Sequence, residues 1–200
     1  MQLRYSPTSP YVRKVVASAI ELGLNDQIER IPTNPWDTST DLPARNPIGK
    51  VPALITDDNW VLFDSPVICE YLDSLGGAPN LFPEAGRDRW AALRHQALAD
   101  GILDASVLRL LEGRRPTELQ SQDWVERQRN SVRRCLNVLE AEVETLPDAL
   151  TIAHISIGCA LGYVDFRFAS ETWRNGRPRL SAWYERIAQR ESFQESVPRE

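Results

Sequence analysis

The chain has few of the residues on which metal and redox centres depend. Its 200 residues include two histidines, one methionine and three cysteines, and no two cysteines have CxxC spacing. Metal sites and dithiol redox sites need such residues close together, so we expect neither. Cys69, Cys135 and Cys159 each fall within an apolar helical pattern. We interpret them as reduced core residues of a cytoplasmic protein.

The chain also lacks an excess of basic residues and any long apolar run. Lysine and arginine number 23 against 28 aspartates and glutamates, which gives a net charge of −5. Such a balance gives no electrostatic reason to bind nucleic acid. No apolar stretch approaches the roughly 18 residues of a membrane span, and the N-terminus lacks the apolar region of a signal peptide. We therefore expect neither nucleic acid nor a membrane as a partner.

The first part of the chain alternates between strand-like and helix-like patterns. Strands are predicted at residues 2–5, 27–31, 51–56 and 60–63, and helices at residues 10–22, 37–44 and 66–75. This order favours a small α/β domain with a mixed sheet, which we assign to residues 1–77.

The second part of the chain has only helical patterns. A Gly-Gly-Ala-Pro-Asn segment at residues 76–80 breaks the alternation and is typical of a linker. Helices are predicted at residues 87–112, 122–146, 151–168 and 179–190. Residues 86–200 therefore form a predicted all-helical domain, with a loose tail from Ser196.

Two motifs of the first domain together suggest a binding site for a short anionic peptide. Pro52 interrupts an apolar strand, and a cis Val51–Pro52 bond would turn the Val51 amide and carbonyl toward an extended ligand. Asp64-Ser65-Pro66 is typical of a helix start, where N–H groups and a hydroxyl can bind a carboxylate. Lys50 supplies a local positive charge beside them.

A third motif, Ser9-Pro10-Tyr11-Val12, opens the first predicted helix. With cysteines in place of Ser9 and Val12, this segment would be the Cys-Pro-Tyr-Cys of a glutaredoxin. A helix N-terminus stabilises a thiolate, which is why reactive groups lie there in thioredoxin-like folds. Since this chain has no thiol at that point, the sulfur must arrive with the ligand.

These motifs, SPYV, NPIGKVPAL, DSPVICEYL and LTIAHISIGCALGYVDFR, occur in an order that resembles cytosolic glutathione S-transferases. The resemblance is strongest to the bacterial serine-type branches and covers nearly the whole chain. It implies a thioredoxin-like N-terminal domain with a mixed four-stranded sheet, followed by an all-helical domain. It also implies a cytoplasmic homodimer that uses glutathione as co-substrate to detoxify a small hydrophobic electrophile. The electrophile itself stays open.

The resemblance also implies roles for single residues. Val51 would pair its backbone with the cysteinyl unit of glutathione, and Ser65 would receive the γ-glutamyl carboxylate. Asp64, where the family more often has Glu or Gln, would face the glutamyl amino group. Lys50 would lie near the glycyl carboxylate, and the hydroxyl of Ser9 would face the sulfur.

Some assignments have alternatives. Ser9 before Pro10 is also a good helix N-cap, and Tyr5, Ser6 or Thr8 could contact the sulfur in its place. Tyr11, within the same motif, belongs to the predicted glutathione-binding set. A glutathione-dependent reductase or peroxidase would need a cysteine where Ser9 stands. A non-catalytic module that binds a partner would keep the same binding residues.

The second domain contributes weaker candidates. Thr151 and His154 have the spacing of a capping box in which the family usually has Asp at the second position, so we expect a structural role for both. We assign no metal to His95. Asp100, Asp104 and Leu108 share one helix face, which could line the electrophile pocket, pack in the core or contact a second subunit.

Overall fold

The computed structural model describes residues 1–76 and 80–199 and divides the chain into two compact units. The first unit contains Met1–Glu84 together with the C-terminal residues from Glu191 onward, and the second contains Ala85–Arg190. Part of the predicted linker, residues 77–79, lies outside the described residues. Among the described residues, no helix is both long and apolar enough to cross a membrane.

The first unit is built on a mixed sheet with helices, as predicted. Its strands are β1 (Gln2–Tyr5), β2 (Glu29–Pro32), β3 (Ala53–Ile55) and β4 (Val61–Leu62). Its helices are α1 (Pro10–Glu21), α2 (Leu42–Arg45) and α3 (Ser65–Ser74). The strand order is β2-β1-β3-β4, with β1 and β2 parallel and the other neighbours antiparallel. The predicted hairpin between β3 and β4 is confirmed.

The core of the first unit lies between the sheet and two packed helices. All three residues of β3 are buried, and α1 packs against α3. Leu3 and Leu54 face each other in the register between β1 and β3, and both are almost fully buried. Val15 of α1 and Ile68 of α3 are fully buried as well. These contacts hold α1 and α3 against the sheet.

The edges of some elements differ from the sequence prediction. Gln27, where β2 was expected to begin, lies instead in a short 3-10 turn at Asn25–Gln27, and the strand begins at Glu29. The helix expected at residues 37–44 is only α2, because hydrogen bonds from the backbone to Asp37 and Thr40 hold the preceding residues in turns. These side chains compete with the helix for the backbone amides.

The second unit is all-helical, as predicted. Its helices are α4 (Gly86–Glu112), α5 (Gln122–Glu142), α6 (Ile152–Arg167) and α7 (Pro178–Ile187). Helix α5 ends four residues before the predicted end, where the chain enters a 3-10 turn at Val143–Thr145. Helix α6 is buried from Ile152 to Val164 and packs against α4.

The residues just before the predicted loose tail form an element that the sequence analysis did not identify. A short helix, α8 (Glu191–Glu195), packs against α1 within the first unit. Phe193 and Ser192 are each about 1% exposed. Ser196 is also held, because its hydroxyl donates to the Ser192 carbonyl at 2.5 Å. Five residues are too few for a helical hydrophobic period to be recognised, so the sequence pattern does not reveal α8.

Candidate functional site

Ser9 lies in the loop after β1 and caps α1. Its backbone is extended, Pro10 occupies the first helical position, and its Oγ accepts a hydrogen bond from the Val12 amide at 3.3 Å. Its own amide donates to the Ser6 carbonyl at 3.1 Å. The capping interpretation is therefore confirmed. Because the cap uses the hydroxyl oxygen as an acceptor, the proton of Ser9 can still be donated elsewhere.

The neighbouring hydroxyl groups have different surroundings. The Tyr5 ring lies under the Arg30 guanidinium, 5.7 Å from its centre. The hydroxyls of Ser6 and Thr8 lie 3.5 Å apart, at the limit of a mutual hydrogen bond. Tyr11 is half-buried on the first turn of α1. None of these contacts involves the Ser9 hydroxyl, so Tyr5, Ser6 and Thr8 stay alternatives to Ser9 as donors to the sulfur.

Val51 lies just outside the sheet. The Val51–Pro52 bond is cis, as predicted, and Val51 is buried. Strand β3 begins only at Ala53, so the amide and carbonyl of Val51 fall outside the register that pairs β1 with β3. An extended peptide can use such backbone groups as it would use the edge of a sheet. Lys50, next to Val51, is exposed.

Asn46 shapes the loop that leads to Val51, and the sequence analysis did not identify it. Asn46 is 2% exposed; its side chain donates to the Lys50 carbonyl at 2.8 Å and accepts from the Ile48 amide at 3.0 Å. Gly49 turns the loop with a φ of 68°, a conformation that favours glycine. The Asn-Pro pair at this point is a turn signal, but burial of the amide is visible only in the structure.

Ser65 begins α3 and has an unusual environment. Its side chain is about 99% buried, and within the described part of the chain its Oγ has no hydrogen-bond partner. Asp64 lies at the N-cap position with an extended backbone, but its exposed carboxylate makes no capping hydrogen bond. The Phe63–Asp64 peptide bond is also cis. Buried hydroxyls normally have a partner, so this helix start is suited to receive an acceptor group such as a carboxylate.

The strand register brings the three motifs to one end of the sheet. Arg4 pairs with Ala53 between the antiparallel strands β1 and β3, so the end of β1 lies beside the start of β3. Leu54 pairs with Leu62 between β3 and β4, so the end of β4 lies at the same edge. The loops that leave β1, enter β3 and leave β4 therefore meet.

These three loops carry Ser9, Val51 and Ser65. Neighbouring strands are about 4.8 Å apart, so the loops that follow β1 and β4 are separated by about 10 Å. A fully extended tripeptide also spans about 10 Å. The spacing of the loops that carry the predicted residues therefore matches the length of an extended tripeptide.

The second unit contains the capping box. His154 Nδ1 accepts from the Thr151 amide at 3.1 Å, and its Nε2 donates to the Pro147 carbonyl at 3.1 Å. This pattern requires the neutral tautomer with an unprotonated Nδ1. Burial lowers the pKa of His154, which agrees with the neutral form. The expected structural role of His154 is therefore confirmed.

The other candidates of the second unit are separate from one another. His95 lies between the Ala91 carbonyl, 2.9 Å from Nδ1, and the Glu142 carboxylate, 3.0 Å from Nε2. Asp104 and Leu108 are exposed on α4, so this face is not part of the core of its unit. In residues 1–76 and 80–199, no three His, Cys, Asp or Glu side chains are grouped to hold a metal ion.

Two family models match the chain. Residues 8–75 match the N-terminal domain of glutathione S-transferase, and residues 122–186 match the C-terminal domain. The first match contains the loops that carry Ser9, Val51 and Ser65. The second contains the capping box of Thr151 and His154.

Similar proteins and structures cover nearly the full chain. The "Uncharacterized GST-like protein YibF" of Escherichia coli (strain K12) is 38% identical and matches over 99% of this chain and 98% of its own length. A glutathione transferase family member from Pseudomonas fluorescens Pf-5, solved with bound glutathione, is 42% identical with a TM-score of 0.94, covering 100% of this chain and 99% of its own.

A third protein, a glutathione S-transferase from Methylobacillus flagellatus KT solved with glutathione bound, is 35% identical. Its TM-score is 0.94, and the match covers 99% of each chain. The fold, the two family models and these relatives agree with one another. The chain therefore belongs to the glutathione S-transferase family.

Proposed function

We propose that this protein is a glutathione S-transferase that binds glutathione across the loops of Ser9, Val51 and Ser65. It activates the thiol for attack on a small hydrophobic electrophile. The observation that carries the proposal is the Ser65 hydroxyl, buried and without a described partner at the start of α3. A ligand carboxylate gives that hydroxyl its missing acceptor and binds where the helix dipole favours negative charge.

The ligand's other groups match the rest of this edge. The cysteinyl backbone pairs with the amide and carbonyl of Val51, which the sheet leaves outside its register. The exposed Asp64 faces the glutamyl ammonium group, and the exposed Lys50 faces the glycyl carboxylate. Each charge on the tripeptide then has a partner of opposite sign or a helix N-terminus.

Ser9 stabilises the thiolate rather than removing the thiol proton. A neutral hydroxyl is too weak a base near pH 7, but its O–H can donate a hydrogen bond to sulfur. Lowering a thiol pKa by about 2 units needs about 2.7 kcal/mol. One charge-assisted hydrogen bond supplies about 1.5–3 kcal/mol, and the start of α1 adds to it. Tyr11, on the same turn, contacts the bound peptide.

The reaction then needs no redox partner. The thiol proton passes to solvent, and the thiolate forms a carbon–sulfur bond with the electrophile while a leaving group departs or a double bond is saturated. A disulfide reductase would instead require a protein thiol at this position, where the chain has Ser9 and Val12.

We further propose that the protein acts as a homodimer in the cytoplasm. None of the three cysteines, all of which lie in the described part of the chain, forms a disulfide, as expected in a reducing compartment. A surface patch of the exposed Trp60 and Val67 and the half-buried Tyr71 supports self-association. Trp60 is 59% exposed and meets the Tyr71 ring edge-on at 6.3 Å.

Calorimetric titration with glutathione tests the binding site. Ser65→Ala removes the proposed partner of the ligand carboxylate, so we expect binding to weaken by about 10-fold to 100-fold, as for one charge-assisted hydrogen bond. Ser74→Ala is the matched control, because Ser74 is exposed at the other end of α3 and bonds only locally to the Tyr71 carbonyl. Equal affinities for wild type and Ser65→Ala, or no binding by wild type, would contradict the proposal.

A further inference from the structure

The C-terminal segment of residues 191–199, named the C-terminal brace, returns to the first unit and contacts the last residue of α1 and the loop that precedes this helix. At the far end of the helix, the Ser192 hydroxyl donates to the Glu21 carboxylate at 2.5 Å. In the loop before α1, the Arg199 amide donates to the Pro7 carbonyl at 3.4 Å. Pro7 is two residues before Ser9, so the brace reaches the loop that carries the proposed catalytic hydroxyl.

Arg13 connects the brace to the first turn of α1. Its backbone amide donates to the Ser9 carbonyl at 3.0 Å, which is the first hydrogen bond of the helix. Its side chain is only 7% exposed. In the described part of the chain, the guanidinium donates to the Phe193 carbonyl at 3.3 Å and to the Ser196 hydroxyl at 3.4 Å, and it lies 5.7 Å from the Phe193 ring centre.

A buried guanidinium fixes the groups around it, because leaving its donors without partners is costly. In residues 1–76 and 80–199, both side-chain hydrogen bonds of Arg13 go to the brace, and Phe193 is itself about 99% buried. Arg13 can therefore keep its hydrogen-bond partners only while the brace is packed against α1. A change in the brace is transmitted to the turn that starts at Ser9.

We propose that Arg13 is a positioning residue and that, together with the C-terminal brace, it holds the first turn of α1 so that the Ser9 hydroxyl meets the glutathione sulfur. The inference rests on the proposed function, since it assigns the brace a role in that same site. A hydrogen bond from a hydroxyl to sulfur weakens steeply with misplacement, so a small shift of Ser9 reduces the fraction of thiolate. The tripeptide itself remains held by Val51 and Ser65.

The main experiment compares Arg13→Gln, Phe193→Ala and the double variant with wild type. The readouts are the pH titration of the bound thiol by its ultraviolet absorbance, and kcat and KM with glutathione and chlorodinitrobenzene. We expect each single variant to raise the pKa of the bound thiol by about one unit and to lower kcat near pH 7 about tenfold. The KM for glutathione should change less than about threefold, because the peptide contacts remain.

The double variant identifies how Arg13 acts. If Arg13 works through the brace, the double variant loses no more thiolate than the larger single variant, because both changes release the same contact. If Phe193→Ala leaves the titration unchanged while Arg13→Gln shifts it, Arg13 acts directly on the sulfur and the inference is wrong. Arg186→Gln, an exposed arginine of the second unit, is the matched control and should behave as wild type.

A milder variant covers the case in which Phe193→Ala does not fold. Ser196→Ala removes the hydrogen bond from Arg13 and the local one to the Ser192 carbonyl, and it leaves Phe193 in place. We expect faster hydrogen exchange at the Val12 amide, which bonds to the Ser9 hydroxyl, and a smaller rise in the thiol pKa in the same direction. Unchanged exchange and titration would overturn the inference.

Failure of the proposed function gives a different result. If wild type neither binds nor ionises glutathione, both proposals are overturned together. If wild type does both, and the variants lower only the melting temperature, the brace is purely structural and only the further inference is overturned.

Discussion

At the scale of single residues, Ser9 has one observed and one proposed hydrogen-bonding role, which sequence analysis treats as alternatives. Its oxygen caps α1 by accepting from Val12, and its proton is available to a ligand. The sequence predicts Ser9, Val51 and Ser65 as candidates, because Pro52 breaks a strand pattern and each serine precedes a helix-starting proline, while the family resemblance implies their ligand contacts. The missing hydrogen-bond partner of Ser65 and the buried amide of Asn46 could not be predicted from sequence, since burial depends on elements distant in the chain.

A serine-to-alanine change tests which hydroxyl meets the sulfur. We expect Ser9→Ala to raise the pKa of the bound glutathione thiol by about 1–2 units, because the donor to the thiolate is lost. The pH profile of kcat/KM should move to higher pH by the same amount. The comparison is Tyr5→Phe, which keeps a ring under Arg30 and removes only the hydroxyl. A shift in Tyr5→Phe and none in Ser9→Ala would make Tyr5 the donor.

His154 makes a second residue-scale prediction, on stability against pH. Burial lowers its pKa in the folded protein below the ordinary value of 6.5. Well above pH 6.5 the imidazole is neutral in both states, so it adds no pH dependence there. As the pH falls through 6.5, the unfolded chain binds a proton that the folded chain does not, and stability is lost.

His154→Asn removes this dependence while retaining an oxygen that can accept from the Thr151 amide. Between about pH 7.5 and about pH 5.5, urea unfolding should show a smaller loss of stability for the variant than for wild type. Thr151→Ser keeps both the hydroxyl and the imidazole, so its pH dependence should match wild type. Equal slopes for wild type and His154→Asn would refute the assignment.

At the scale of elements, the chain shows where local patterns decide structure and where they do not. Strand β1 has its predicted bounds because alternation and turn residues agree there. Helix α2 is much shorter than predicted, since Asp37 and Thr40 form side-chain turns within the expected helix. Helix α8 could not be recognised from its five residues. It is ordered by packing against α1, which the local sequence does not encode.

The loop before β3 gives an element-scale prediction. Asn46→Ala leaves the Lys50 carbonyl and the Ile48 amide without their side-chain partner. We expect a loss of about 1–3 kcal/mol in unfolding free energy and weaker glutathione binding, because Val51 follows directly. Asn34→Ala, which removes a similar turn at the exposed Trp36 amide, is the control and should cost less than about 1 kcal/mol. Unaltered binding by Asn46→Ala would show that the loop does not position Val51.

At the scale of the whole molecule, the family and the division into a sheet unit and a helical unit could be predicted, because four motifs recur in order. That the C-terminal residues belong to the sheet unit could not be predicted, since the chain leaves this unit at Glu84 and re-enters it at Glu191. Composition and periodicity describe neighbouring residues, whereas this return is set by tertiary packing.

Self-association is the whole-molecule prediction. A charge within the patch of Trp60, Val67 and Tyr71 would be desolvated at a subunit interface, so Trp60→Glu should shift the protein from dimer to monomer. Light scattering with size-exclusion chromatography measures the mass. Trp36→Glu, at an equally exposed tryptophan of the same unit, is the control. A wild-type protein that is monomeric, or a Trp60→Glu protein that stays dimeric, would rule out this patch as the interface.

The return of α8 to α1 also bears on how the protein is made. A ribosome adds about 5–20 residues per second, so the roughly 100 residues between the two parts of the first unit take about 5–20 seconds to synthesise. During that interval α1 lacks its contact with α8, the helix that carries the buried Phe193. The sheet unit is therefore completed only after the helical unit has been synthesised, although its strands emerge first. Chaperones that bind exposed apolar segments can bind the incompletely packed first unit during this period.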